Sequence, residues 1–108
     1  MSYHEEAYNK IHAVDLPTEE HKAEWTHQFL AAAAGFGAMH AFNKNKAEKE
    51  GEEVDHHLAK ELLAGLAAAA VDNLAESKGM DWVDREKAKH QAKEEAEKLY
   101  SQQTGYEF

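Results

Sequence analysis

Eight His residues and 21 Asp and Glu residues share a chain of 108 residues. Histidine is the commonest metal-binding side chain and the usual switch near neutral pH. Two Glu-x-x-His spacings occur, Glu24–His27 and Glu53–His56. On a helix, positions i and i+3 share a face. Di-iron carboxylate bundles take this spacing from two helices and one more Glu from each of two others. His57 and Glu61 stand four apart, where a helix brings them together. The metal candidates are therefore Glu24, His27, His56, His57 and Glu61. Two-residue patterns of this kind recur by chance in a chain rich in Glu and His, and need a structural context to mean more. Glu53 also falls before the predicted start of its helix. The plain alternative for His57–Glu61 is a solvated surface pair.

Three further positions invite a chemical reading. His40 lies one turn after Phe36 and beside Met39, so it is a candidate haem ligand with aromatic cover. The alternative is a His at the edge of a core, bonded to a neighbouring helix. Asp72 interrupts an Ala-rich run, with Glu61 and Glu76 on roughly its side. It either enters a pocket, pairs with a base such as Arg85 or Lys89, or faces water. Arg85 is the only Arg, and Arg is the preferred partner of a carboxylate at a buried or interfacial site.

Other chemistries lack their parts. The chain has no Cys, which removes disulfides, thiolate metal sites and thiol catalysis. Ser2, Ser77 and Ser101 fall at termini or helix ends, so Ser/His/Asp catalysis has no support. Gly35-Phe36-Gly37 follows no strand and cannot open a nucleotide-binding βαβ unit.

The elements that must position these residues are helices. Ala, Glu, Lys, Leu and Gln abound, Val and Ile are scarce, and Pro17 is the only Pro. That is helix-forming material with almost no strand-forming material. The expected fold is all-α, a small bundle of three main helices over about 18–50, 55–78 and 82–102. Ala7, Tyr8, Ile11 and His12 give a weak signal for a short helix before Leu16-Pro17. Thr18 is the expected N-cap of the first long helix, with Glu19 and Glu20 at its positive dipole end and Gly51 as its stop. Asp55 caps the second helix, and Lys78-Gly79 closes it. Asp81 caps the third, with Asp84 at the capping-box position. Pairs such as Glu86–His90 and Glu94–Lys98 support that last helix. The whole chain, 1–108, reads as one domain, loose at about 1–6 and 102–108.

Residues 29–42, FLAAAAGFGAMHAF, are apolar nearly all round. Such a helix needs neighbours on more than one side. Residues 62–71, LLAGLAAAAV, supply one. In that second helix Leu58, Leu62, Gly65, Leu66 and Ala69 form one stripe, and Leu63, Ala67, Ala70 and Leu74 another. A first helix of about 32 residues spans about 48 Å, more than the second can cover, and the third has a thin face of Ala88, Ala92, Ala96 and Leu99. The small-residue side of the first helix, Leu30, Ala34, Gly37 and Ala41, is therefore expected to meet a second copy about a two-fold axis.

The stretch 55–100 carries the runs AKELLAG and KGMDWVDREKAKH at a specific spacing. It closely resembles the fungal CipC-like antibiotic-response proteins. Residues 26–42 resemble the small-residue helix of the same family; the first 17 and last eight residues show no clear match. The resemblance implies a small fungal protein of the stress response, named for induction by an antibiotic. It implies no reaction and brings no site residues, although His27, His56, Lys60, Glu61, Asp72, Asp84 and His90 lie within the matching stretches.

The net charge of −9 repels phosphate backbones and anionic lipid surfaces, so neither nucleic acid nor membrane is an expected partner. The start MSYHEEAYNKIH has no basic or apolar leader pattern, and the apolar runs are too short to span a bilayer. The expectation is a non-enzymatic, self-associating helical protein of the fungal stress response, cytoplasmic, with itself as partner and no cofactor. The alternative is a metal- or haem-binding bundle using His27, His56 and neighbouring carboxylates. A third reading, a protective and partly disordered polypeptide, draws on KAKHQAKEEAEK, but two Trp, four Phe and dense apolar runs count against it.

Overall fold

Thr26 stands at the head of the central helix: its Oγ1 accepts the Phe29 N–H at 3.1 Å, the bond that defines an N-cap. In the computed structural model, residues 3–14, 18–20, 25–48, 56–80 and 83–107 are described, with backbone alone at 45–48. The regular elements among them are α1 (Tyr3–His12), α2 (His27–Glu48), α3 (His56–Ser77) and α4 (Arg85–Thr104). No strand occurs among the described residues. The all-helical reading holds, with four elements rather than three main ones.

Two boundaries differ from expectation. The first long helix does not run on from Thr18. Glu19 and Glu20 are helical, but Trp25 and Thr26 are not, and α2 begins at His27. A cap within the chain beats the helix propensity of the residues around it. The third expected helix begins at Arg85, not Trp82, because Asp84 is itself the N-cap and accepts the Lys87 N–H at 3.2 Å. The capping roles given to Asp55 and Asp81, the stop at Gly51 and the break at Leu16-Pro17 lie outside the described residues. The close of α3 is as expected: Gly79 adopts φ +64°, Met80 N–H reaches Ala75 O at 2.8 Å and Gly79 N–H reaches Glu76 O. These are the two bonds of a Schellman motif.

The last helix runs past its expected end at about 102. Residues 101–104 continue α4, Gly105 closes it at φ +79°, and Tyr106 stacks on His56 with ring centroids 3.8 Å apart. At the other end, α1 already begins at Tyr3 and buries Ala7 and Ile11.

Helix α2 is the axis of the assembly. It packs against α1, α3 and α4, and α3 and α4 pack against each other, within a body of 46 × 23 × 23 Å. Ala31, Ala32, Ala33 and Ala34 are all buried, which is how a helix apolar all round must sit. The thin face of α4 suits this axis. Ala88, Ala92 and Ala96 are fully buried, and the α2–α4 crossing is so close that a Cβ at Gly35 would lie 2.8 Å from Glu95 Cβ and 3.1 Å from Ala96 N. With α2 of 22 residues, α3 of 22 and α4 of 20, the lengths match. The shortfall of cover expected for a longer first helix does not arise.

Candidate interaction surface

Helix α3 carries two apolar stripes, and the structure decides between them. Leu63, Ala67, Val71 and Leu74 face the core. Leu58 and Leu62 face water, 51% and 45% exposed, and Gly65 and Ala69 on the same line are exposed too. Nothing lies within 4 Å of a Cβ built on Gly65. The two leucines and Tyr3 are the exposed large hydrophobic residues among those described. Scattered exposed leucines need no explanation, but a contiguous apolar line marks a contact site. A sequence signal for the outward stripe exists. Glu61, Asp72 and Glu76 stand beside it at helical spacing.

Beside this stripe runs an open groove. Helices α1 and α3 do not pack on each other, and between them the small side of α2 forms the floor of a hollow of about 410 Å³. Ala34, Gly37 and Ala41 line it from α2, Leu66 and Ala69 from α3, and Tyr8 from α1. Three of the four residues expected at an interface thus share this groove. Leu30 lies in the core at 4% exposure, and Ala34 shows only 1%. The Tyr8 ring sits on Gly37. Much of the small side of α2 is therefore covered within the chain by α1, an element the sequence signalled only weakly.

The metal candidates do not converge. His27 Nε2 accepts the backbone N–H of Asp84 at 3.2 Å, at the start of α4. His56 Nδ1 bonds the Tyr100 hydroxyl at 2.6 Å, near the end of α4. Sixteen residues of helix separate those anchors, about 24 Å at 1.5 Å per residue, so one ion cannot touch both. His57 and Glu61 are exposed on the α3 surface. Glu24 and Glu53 lie outside the described residues. Among the described residues no three His, Asp or Glu side chains are grouped to hold an ion. His40 is exposed beside a hollow of about 180 Å³ lined by Phe36, Met39 and Leu99, smaller than the roughly 300 Å³ at which ligand pockets begin.

The polar pairs that do form tie elements together. His4 Nε2 meets Glu95 Oε2 at 2.5 Å, a bond from α1 to α4 with both side chains mostly covered. Sequence spacing cannot reveal a contact across 91 residues. Asp72 takes the base-pairing reading: Lys89 Nζ lies 3.1 Å from Oδ2 and Arg85 Nη1 3.6 Å from Oδ1. The bond to Asp72 holds the Lys89 ammonium above the usual lysine range, helped by the charges of Asp72 and Glu86 and opposed by desolvation. On α4 the expected partners shift, with His90 on Glu94, Lys98 on Glu95 and Lys89 on Glu86.

The family model described as virulence factor CipC-like matches residues 7–103. No curated protein and no solved structure matches the chain. The matched span takes in most of α1, all of α2 and α3 and nearly all of α4, and with them both stripes of α3. Among the described residues, no helix is long and apolar enough to cross a membrane.

Proposed function

We propose, from the premise that this chain belongs to the virulence factor CipC-like family, that it is a non-enzymatic helical protein that works by associating with itself. One observation carries the reading: among the described residues, Leu58, Leu62, Gly65 and Ala69 form a continuous apolar line on the exposed side of α3. An α-helix loses free energy by leaving such a line in water, and burial against a second surface recovers it at about 25 cal/mol per Å². The polar pairs support the same reading. His4–Glu95 and His56–Tyr100 are used to hold α1, α3 and α4 in place, and each is already engaged within the fold. The resemblance implies a fungal stress response; the cytoplasm as its location, a second copy as its partner and the lack of a cofactor are part of the same proposal.

The test is light scattering on the wild type and on Leu58→Glu/Leu62→Glu. The wild type gives a mass above that of one chain, and the variant falls to one chain with its helical circular dichroism intact. A wild type that stays at one chain at high micromolar concentration refutes the reading.

A further inference from the structure

We infer that the exposed face of α3 is covered by α3 of a second copy laid antiparallel, with Leu58 of each copy over Ala69 of the other and Leu62 over Gly65. This rests on the self-association reading and adds to it an orientation and a register.

The stripe itself points to this pairing. Its positions, 58, 62, 65 and 69, are separated by four, three and four residues. The spacing is that of a heptad seam, and it reads the same in both directions. The sizes do not: two leucines are followed by a glycine and an alanine. Reversing one copy therefore keeps the positions aligned and sets every large residue opposite a small one. The open space in front of Gly65 is where the leucine of the other copy fits. Such a match, i against j and j against i, is what a two-fold axis requires.

A parallel pair fails on two counts. It sets leucine on leucine at one end and small residue on small residue at the other. Helix axes stand 8–10 Å apart according to the side chains between them, so one end would be held open by the other. Glu76, seven residues after Ala69 and exposed, lies on the same line and would meet Glu76 of the other copy. In the reversed register Glu76 stands opposite residue 51 of the other copy, before the start of its α3 at His56, and so does not meet its own like. Each copy carries −9, but this repulsion is screened over about 8 Å at physiological ionic strength, and the seam from Leu58 to Ala69 holds no charge.

The chain has no Cys, so single introduced thiols report on the pairing. Leu58→Cys and Ala69→Cys are prepared separately, then oxidised alone and as a mixture. Both positions are exposed, and circular dichroism confirms that each variant keeps its helices. The mixture gives a disulfide-linked heterodimer at several times the yield of either variant alone. Equal or greater linking of Leu58→Cys with itself means a parallel pair and overturns the register while leaving self-association intact. Absence of linking in every sample, with wild-type light scattering still above one chain, places the contact on another face and overturns this inference alone. A wild type of one chain overturns both. Gly65→Leu is the second check: it fills the space for Leu62 and reduces the pair to single folded chains, and a dimer that survives it contradicts the register.

Discussion

The Tyr8 ring lies on Gly37, with Cε1 3.3 Å and Cδ1 3.7 Å from the point where a Cβ would stand. A residue with no side chain is what lets α1 settle on α2 at that level. The same ring is 5.1 Å from Phe36 by centroids and 4.2 Å from His12. Gly37→Leu should push Tyr8 off and loosen α1, at about 1–3 kcal/mol for overpacking. Chemical denaturation gives the cost, and amide exchange places it, fastest in α1. If the variant instead separates associated chains without disturbing α1, the small side of α2 serves a second copy directly.

Gly35 and Gly65 should respond to alanine with opposite signs. An added methyl at Gly35 meets Glu95 Cβ at 2.8 Å and the backbone of α4 at 3.1 Å, and α2 and α4 must part to admit it. That outweighs the gain of about 1 kcal/mol from replacing glycine in a helix. Within one chain Gly65 meets nothing, so at low concentration, where the chains are single, Gly65→Ala gains most of that amount. Urea midpoints of the two variants decide the point, and a stabilised Gly35→Ala would contradict the close α2–α4 crossing.

How much of this was legible in the sequence depends on the residue. Gly79 as the close of α3 was readable because positive φ demands a glycine there. The pairing of Asp72 with Arg85 or Lys89 was readable as chemistry, although its geometry was not. Thr18 outranks Thr26 in the sequence, since Pro17, Glu19 and Glu20 make a stronger local pattern than the one Thr that stands just before the apolar run. The choice between the two stripes of α3 was open, because apolar periodicity gives two candidate faces when a helix is rich in Ala. Only the partners of α3 settle which one is inside. His27 and His56 looked alike in spacing, and the antiparallel course of the helices sends them to opposite ends of α4.

Lys89 sets a pH dependence with a definite sign. Its ammonium is held above the ordinary lysine value chiefly by the bond to Asp72. A raised folded value means that its stabilisation is fully present below the unfolded lysine pKa and is lost as pH rises through the higher folded value. The stability difference between wild type and Lys89→Gln should persist at neutral pH and vanish in strong alkali. Urea unfolding at the two extremes checks this, and a difference that grows with alkalinity would contradict it.

Association should strengthen with added salt. Two copies at −9 each repel one another, and salt shortens the reach of that repulsion, while an uncharged seam has no ion pairs to lose. Light scattering over a salt series reads the trend. A dimer that dissociates as salt rises would mean that charges, not the Leu58–Ala69 line, hold it.

The most direct measurement is analytical ultracentrifugation of the full chain from low to high micromolar concentration, beside Leu62→Glu. Four seam residues on one helix make a small contact beside the roughly 20–30 residues a side of a standard interface, so the pair should be concentration-dependent. The account predicts a wild type that moves from one chain toward two as concentration rises, and a folded Leu62→Glu that remains one chain throughout. A wild type that sediments as one chain across the whole range, or a variant that pairs as well as the wild type, contradicts it.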